Sequence, residues 1–237
     1  MKKDSILIFF EFYGLPGSGK STLSHIVADW LRSEEYSVEE PSYDIDHQHP
    51  LLKRTRKLAT CGYWFVFHND QYRRTREIVK HNGYHGITAF KQMANVIQKM
   101  RIYNNRTSAE IIFLDQGLIQ ACVSLSMNGI LSAKDNYELL LCLMPNAAKA
   151  IRIYIEVDDK VAIDRMNKRV TNDSRVEKLK DHVAKVEMLR QTHKEIVSFR
   201  EQYLGEENEY IIFSSDNLTK DANNTYAAIK EFLADIK

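Results

Sequence analysis

Residues Gly14-Leu15-Pro16-Gly17-Ser18-Gly19-Lys20-Ser21-Thr22 match G-x-x-x-x-G-K-[ST] at every fixed position. That spacing serves phosphate chemistry. The glycines let successive backbone N–H groups turn inward around phosphate oxygens. A helix starting near Gly19 adds the positive end of its dipole. Lys20 can reach β- and γ-phosphates, and the Ser21 hydroxyl can ligate Mg2+. Gly14, Pro16, Gly17, Ser18, Gly19, Lys20, Ser21 and Thr22 are therefore the expected binding set for ATP with Mg2+.

Two groups of acids come next. Asp115 closes the apolar run Glu110–Leu114, where it can hold Mg2+ opposite Ser21; the alternative is a cap for the helix after Gly117. Glu40, Asp44 and Asp46 follow a short strand pattern at Tyr36–Glu40. A carboxylate there can take the proton of an acceptor hydroxyl or orient a sugar hydroxyl, or it is a solvated loop acid. Glu11 interrupts an apolar strand, which leaves it either paired with a buried base or part of the site.

Three arginines, Arg165, Arg169 and Arg175, follow the strand pattern Ile151–Val157. Arg165 and Arg169 are four apart and share a helix face. Transfer of a phosphoryl group needs cations of fixed geometry, and a segment that closes over the nucleotide excludes water. Residues of about 165–178 are the expected lid, against a salt-bridged surface helix as the plainer reading. On the other side, Tyr63–Arg76 is the candidate acceptor segment. Phe67 can stack a base and Arg73 can bind a phosphate; otherwise Trp64, Phe65 and Phe67 are core.

These side chains need a scaffold. Ile6–Phe12 is an apolar run of strand length, and Ser21–Arg32 carries Leu23, Ile26, Val27, Trp30 and Leu31 on one side of a helix. Helical patterns follow at Pro50–Ala59, Tyr63–Asn82, His85–Asn104, Leu118–Met127, Ala133–Met144, Asp159–Arg169, Val176–Leu204 and Asp221–Ile236, with a last strand at Tyr210–Phe213. Strands and helices alternate, which predicts an α/β, three-layer fold around a five-stranded parallel sheet. Ligands of such a sheet sit at the carboxyl ends of its strands. One domain over 1–237 is expected, with a helical acceptor-side segment at about 50–107.

The bulk properties narrow the partners. Across 237 residues, 33 basic and 32 acidic side chains give a net charge of +1, which argues against nucleic acid. No stretch is apolar enough to span a membrane. Cys61, Cys122 and Cys142 fit no zinc spacing and read as buried free thiols in a reducing cytoplasm. Leu179, Val183, Val186 and Leu189 form a helical stripe that reads as core and leaves a homodimer open.

Four blocks, Gly14–Thr22, Glu39-Glu40-Pro41, Phe113-Leu114-Asp115 and Val157–Glu177, together resemble the thymidylate kinase-like branch of the P-loop nucleoside and nucleotide kinases. The resemblance implies a nucleoside monophosphate kinase-like fold and transfer of the ATP γ-phosphate to a small acceptor. It places Arg165 against the adenine, Arg169 on phosphates, and Ser215, Asp216 and Asn217 beside the base. The chain departs from that pattern on the acceptor side. Asp115-Gln116 stands where an Asp-Arg pair is usual, and the nearest match to a second such pair is the stretch from Phe65 to Arg73. The expected acceptor is a nucleotide or nucleoside. The alternatives are a kinase for a non-nucleotide acceptor and an ATP- or GTP-binding regulatory protein. A guanine-reading Asn-Lys-x-Asp motif is absent.

Overall fold

The structure is a computed structural model. It describes residues 7–46, 49–104, 107–168, 176, 179, 181–203, 209–215 and 217–236. Strand β1 (Ile8–Gly14) reads Ile-Phe-Phe-Glu-Phe-Tyr-Gly and is buried from its second residue onward. A strand apolar on both faces belongs in the middle of a sheet with helices on both sides. β1 is the central strand. The order is β2 (Val38–Glu39), β3 (Ile111–Leu114), β1, β4 (Ile151–Glu156), β5 (Glu209–Phe213), and every pairing is parallel.

Alternation along β1 divides the core. Phe10 and Phe12 face α1 (Lys20–Ser33) and α10 (Leu218–Asp235), packing with Leu23, Val27, Leu31, Phe113 and Ile229. Phe9 and Tyr13 face the other layer with Met100, Tyr103, Leu118, Ile119 and Phe199. The helices on that side include α5 (Gly86–Asn104), α6 (Leu118–Ser126), α7 (Ala133–Leu141) and α9 (His182–Tyr203). Glu11 shares the face of Phe9 and Tyr13. Tyr13 donates to Glu209 on β5, and Arg200 of α9 grips the same carboxylate at 3.0 Å.

Several boundaries differ from the sequence pattern. The pattern breaks the acceptor-side helices between Ala59 and Tyr63. Instead, α3 (Pro50–Phe67) runs through Gly62, and the break falls at His68, before α4 (Asn69–His81). A helical glycine costs only about 1 kcal/mol, and burial of Cys61 and Trp64 on either side of it holds the turn. Residues after Glu40 form a short helix, α2 (Pro41–Asp46), rather than a loop; proline suits a first helical turn. Helix α7 stops at Leu141, leaving Cys142 exposed rather than buried. Helix α10 starts at Leu218, capped by the Asn217 side chain.

The helix expected from Val176 starts at His182, where the Asp181 carboxylate accepts from the Val183 and Ala184 amides. Val183 is exposed and only Leu189 of that stripe is fully buried. Helix α8 (Asp159–Lys168) precedes the expected lid. Among the described residues no helix is long and apolar enough to cross a membrane.

Candidate active site

The chain turns sharply after β1. At Gly17, φ is 84°, and a Cβ there would lie 2.5 Å from the Ala162 carbonyl oxygen of α8. The loop is thus wedged between the first strand and α8, and only glycine fits. The Ser18 amide donates to the Leu15 carbonyl at 3.1 Å, and Ser18 is fully buried. Lys20 Nζ donates to the Gly14 and Leu15 carbonyls at 3.0 and 2.7 Å, which holds the ammonium over the loop. Gly19 gives α1 no side-chain cap. A helix start without a side-chain cap is suited to an anion.

The ends of β2 and β3 carry the unusual chemistry. These strands are neighbours, in register at Glu39 and Ile112. Asp115, just past β3, is 3% exposed, and Glu40, just past β2, is also 3% exposed. Among the described residues Asp115 Oδ1 and Glu40 Oε1 have no hydrogen-bond partner, nor do Ser42 Oγ and Gln120 Oε1. An unpaired buried polar atom costs about 1–3 kcal/mol, so folded proteins keep few. Three of the four are carboxylate or amide oxygens, which accept hydrogen bonds. Their complement is a hydroxyl donor or a hard cation.

The opposite end of the rim is braced. Arg165 donates from Nη1 to Ser214 Oγ at 2.8 Å and from Nη2 to the Ser215 carbonyl at 2.6 Å. The Ser215 amide and hydroxyl both donate to the buried Asp221 carboxylate at 2.7 Å. Arg165 and the loop after β5 are therefore one unit. A cavity of about 900 Å3 adjoins it between α8, α9 and the ends of β4 and β5, lined in part by Asp158, Asp164, His193, Phe213 and Ser214.

The remaining sequence candidates scatter. Asp44 is exposed on α2. Phe67 is 68% exposed at the end of α3, packed on Tyr63 rather than in the core. Arg73 is exposed on α4. The Asp44 amide donates to the Glu40 carbonyl at 2.9 Å, in a turn that leaves Asp44 itself exposed. Arg169, Arg175 and Asp216 lie outside the described residues, as does most of the expected lid.

Glu11 proves to be a brace. Its Oε2 accepts from the Tyr103 hydroxyl at 2.8 Å and its Oε1 from the Ile119 amide at 2.6 Å. It therefore caps α6 from another strand, because the N-cap residue Gly117 has no side chain to do so. Burial pushes the Glu11 carboxyl above its ordinary value, against the pull of the Tyr103 and Ile119 hydrogen bonds. Sequence reasoning also passed over His25 and Arg32, which reach Glu40 from α1. The signal was present: His25, Asp29 and Arg32 recur at i, i+4 and i+7, making one polar face on an otherwise amphipathic helix.

No family model matches the chain, and no curated protein matches it in sequence. In structure it is similar to a deoxyadenosine kinase from M. mycoides. The form with products dCMP and a flexible dCDP aligns at TM-score 0.55 and 17% identity, over 97% of this chain and 100% of that one. The dCTP-bound form gives 0.56 and 16%, over 94% and 100%. The dATP-bound form gives 0.55 and 17% over the same shares, 94% and 100%. The chain has a P-loop nucleoside-kinase fold. These neighbours are named as nucleoside kinases, not thymidylate kinases.

Proposed function

We propose that this chain is an ATP-dependent kinase that phosphorylates a hydroxyl group of a nucleoside. The observation that carries this reading is the pair of buried, unpartnered oxygens, Glu40 Oε1 and Asp115 Oδ1, at adjacent strand ends beside a complete phosphate loop. The loop and Lys20 supply the donor side. The acceptor side is negative and donor-seeking. Two buried carboxylates repel a phosphate monoester and receive a neutral hydroxyl. Gln116 stands where the resemblance to thymidylate kinases calls for an arginine, and Arg73 is exposed. The structural neighbours, named as deoxyadenosine kinase, support the same choice.

On this reading Glu40 Oε1 accepts the hydroxyl proton as the acceptor oxygen bonds to the γ-phosphorus. The bond from that phosphorus to the bridging oxygen breaks, and its electron pair stays on ADP. The Ser21 hydroxyl and the Asp115 carboxylate are hard oxygen donors that would hold Mg2+, which shields phosphate charge. Arg165 sets the loop after β5 against the nucleotide, and residues of about 165–178 close over it.

The test is direct. ATP, Mg2+ and the full-length protein are incubated with the common ribonucleosides, 2′-deoxyribonucleosides and their monophosphates, and products are read by chromatography. A nucleoside converted to its monophosphate supports the reading. Turnover of monophosphates alone, or nucleotide binding without any transfer, overturns it.

A further inference from the structure

The unpartnered oxygen of Glu40 is aimed by something, and the aiming groups come from α1. Glu40 Oε2 accepts from Arg32 Nη2 at 2.9 Å and meets His25 Nδ1 at 3.0 Å. Arg32 is itself fixed. Its Nη1 donates to Asp29 Oδ1 at 2.8 Å, and its Nε donates to the Val38 carbonyl of β2 at 3.2 Å. The His25 ring lies flat on Tyr43 of α2, centroids 4.0 Å apart and planes 12° apart. One carboxylate oxygen is thus clamped by two nitrogens, while the other stays buried and unpaired.

The cluster is not a metal site. His25, Asp29 and Glu40 lie close enough to share an ion. Yet His25 turns Nδ1 to Glu40 and Nε2 to Asp29, and one ring cannot give both nitrogens to one ion. The Arg32 guanidinium already stands between the two carboxylates. Part burial lowers the Arg32 pKa, but the Glu40 hydrogen bond and charge outweigh this and shift it upward overall, so the cation persists.

We propose that Arg32 and His25 are positioning residues that clamp Glu40 Oε2 so that Oε1 is presented to the acceptor hydroxyl. This rests on the kinase reading above. Its physical content is preorganisation. A carboxylate free to rotate spends only part of its time facing the hydroxyl, whereas a clamped one waits in place. The same helix carries Lys20 at its start, so α1 fixes the phosphate loop and the carboxylate in one rigid piece.

The experiment measures steady-state transfer from ATP to the nucleoside that the panel identifies, in Glu40→Gln, Arg32→Met, Arg32→Lys, His25→Phe and the Arg32→Met/Glu40→Gln double variant. Arg32→Met should lower kcat/KM for the nucleoside about 10- to 100-fold, the scale of a charge-assisted hydrogen bond. The KM for ATP should stay unchanged. Arg32→Lys should recover part of the loss. His25→Phe keeps the stack on Tyr43 and should lose about 10-fold. In the Glu40→Gln background, Arg32→Met should have little further effect.

If Glu40→Gln abolishes transfer while Arg32→Met and His25→Phe keep wild-type kcat/KM, the positioning role is wrong and the kinase reading stands. If the effects of Arg32→Met and Glu40→Gln simply add, Arg32 acts elsewhere and the inference is again overturned. If Glu40→Gln turns over normally, or no nucleoside is phosphorylated, the reading beneath it fails and the inference falls with it. Circular dichroism and ATP binding check folding; should Arg32→Met not fold, Arg32→Lys and His25→Phe decide.

Discussion

Glu11 and Gly117 claim one volume: a Cβ on Gly117 would lie 2.2 Å from Glu11 Cδ and 2.5 Å from its Oε1. Real side chains never approach so closely. A glycine two residues past Asp115 is therefore the condition for a carboxylate on β1 to reach the start of α6. Gly117→Ala should destabilise the protein by about 1–3 kcal/mol, the usual cost of overpacking. Urea denaturation measures it. The penalty should shrink in a Glu11→Ala background, and an undiminished penalty there would show that the two residues do not compete for space.

Stability should also depend on pH through Glu11. Burial raises its folded-state pKa above the ordinary 4.5. The folded protein then holds a proton that the unfolded chain has released, so stability falls as pH rises from about that value through the raised one. The neutral isostere Glu11→Gln removes this dependence while keeping an acceptor for Ile119. Denaturation midpoints measured between about pH 4 and pH 8 should slope downward in the wild type and less so in the variant. Identical slopes would rule Glu11 out as the source.

Lys20→Ala should lower the rate of transfer by at least about 100-fold. The fold should survive, because the loss is confined to two hydrogen bonds with the Gly14 and Leu15 carbonyls, about 1–3 kcal/mol together. A variant with near-normal turnover would remove Lys20 from the chemistry.

Arg165→Ala removes both bonds to the loop after β5. The KM for ATP should rise about 10-fold, with a smaller change in the KM for the nucleoside. A nucleoside-specific effect would place Arg165 on the acceptor instead.

What was legible in the sequence followed locality. The phosphate loop is contiguous, and its strand-turn-helix setting can be read from neighbours alone. Four of the five strands were readable because each is a short, mainly apolar run; β2, only two residues long, showed as a short pattern ended by Pro41. Glu11 was visible as an oddity, but its partner Ile119 lies 108 residues away, and no local pattern connects them. The clamp on Glu40 forms only because β2 returns alongside α1. Helix α2 escaped because six residues are too few to show a period. Phe67 and Arg73 carried plausible side-chain chemistry, but sequence cannot say which way a helix faces when its exposed side is also aromatic.

The strand order β2-β3-β1-β4-β5 has one more consequence. The phosphate loop sits at the seam between two stretches of chain. Among the described residues, the groups that hold Glu40 come before β4, as the phosphate loop does, and the Arg165 unit comes after it. On the proposed reading, the grip on phosphates and the acceptor carboxylate are therefore inherited together, and the loop after β5 beside the base is inherited apart from them. Substitutions in the later stretch can retune which base is accepted while the hydroxyl-seeking carboxylate stays in place. A lineage built this way can change its nucleoside triphosphate before it changes the group it phosphorylates.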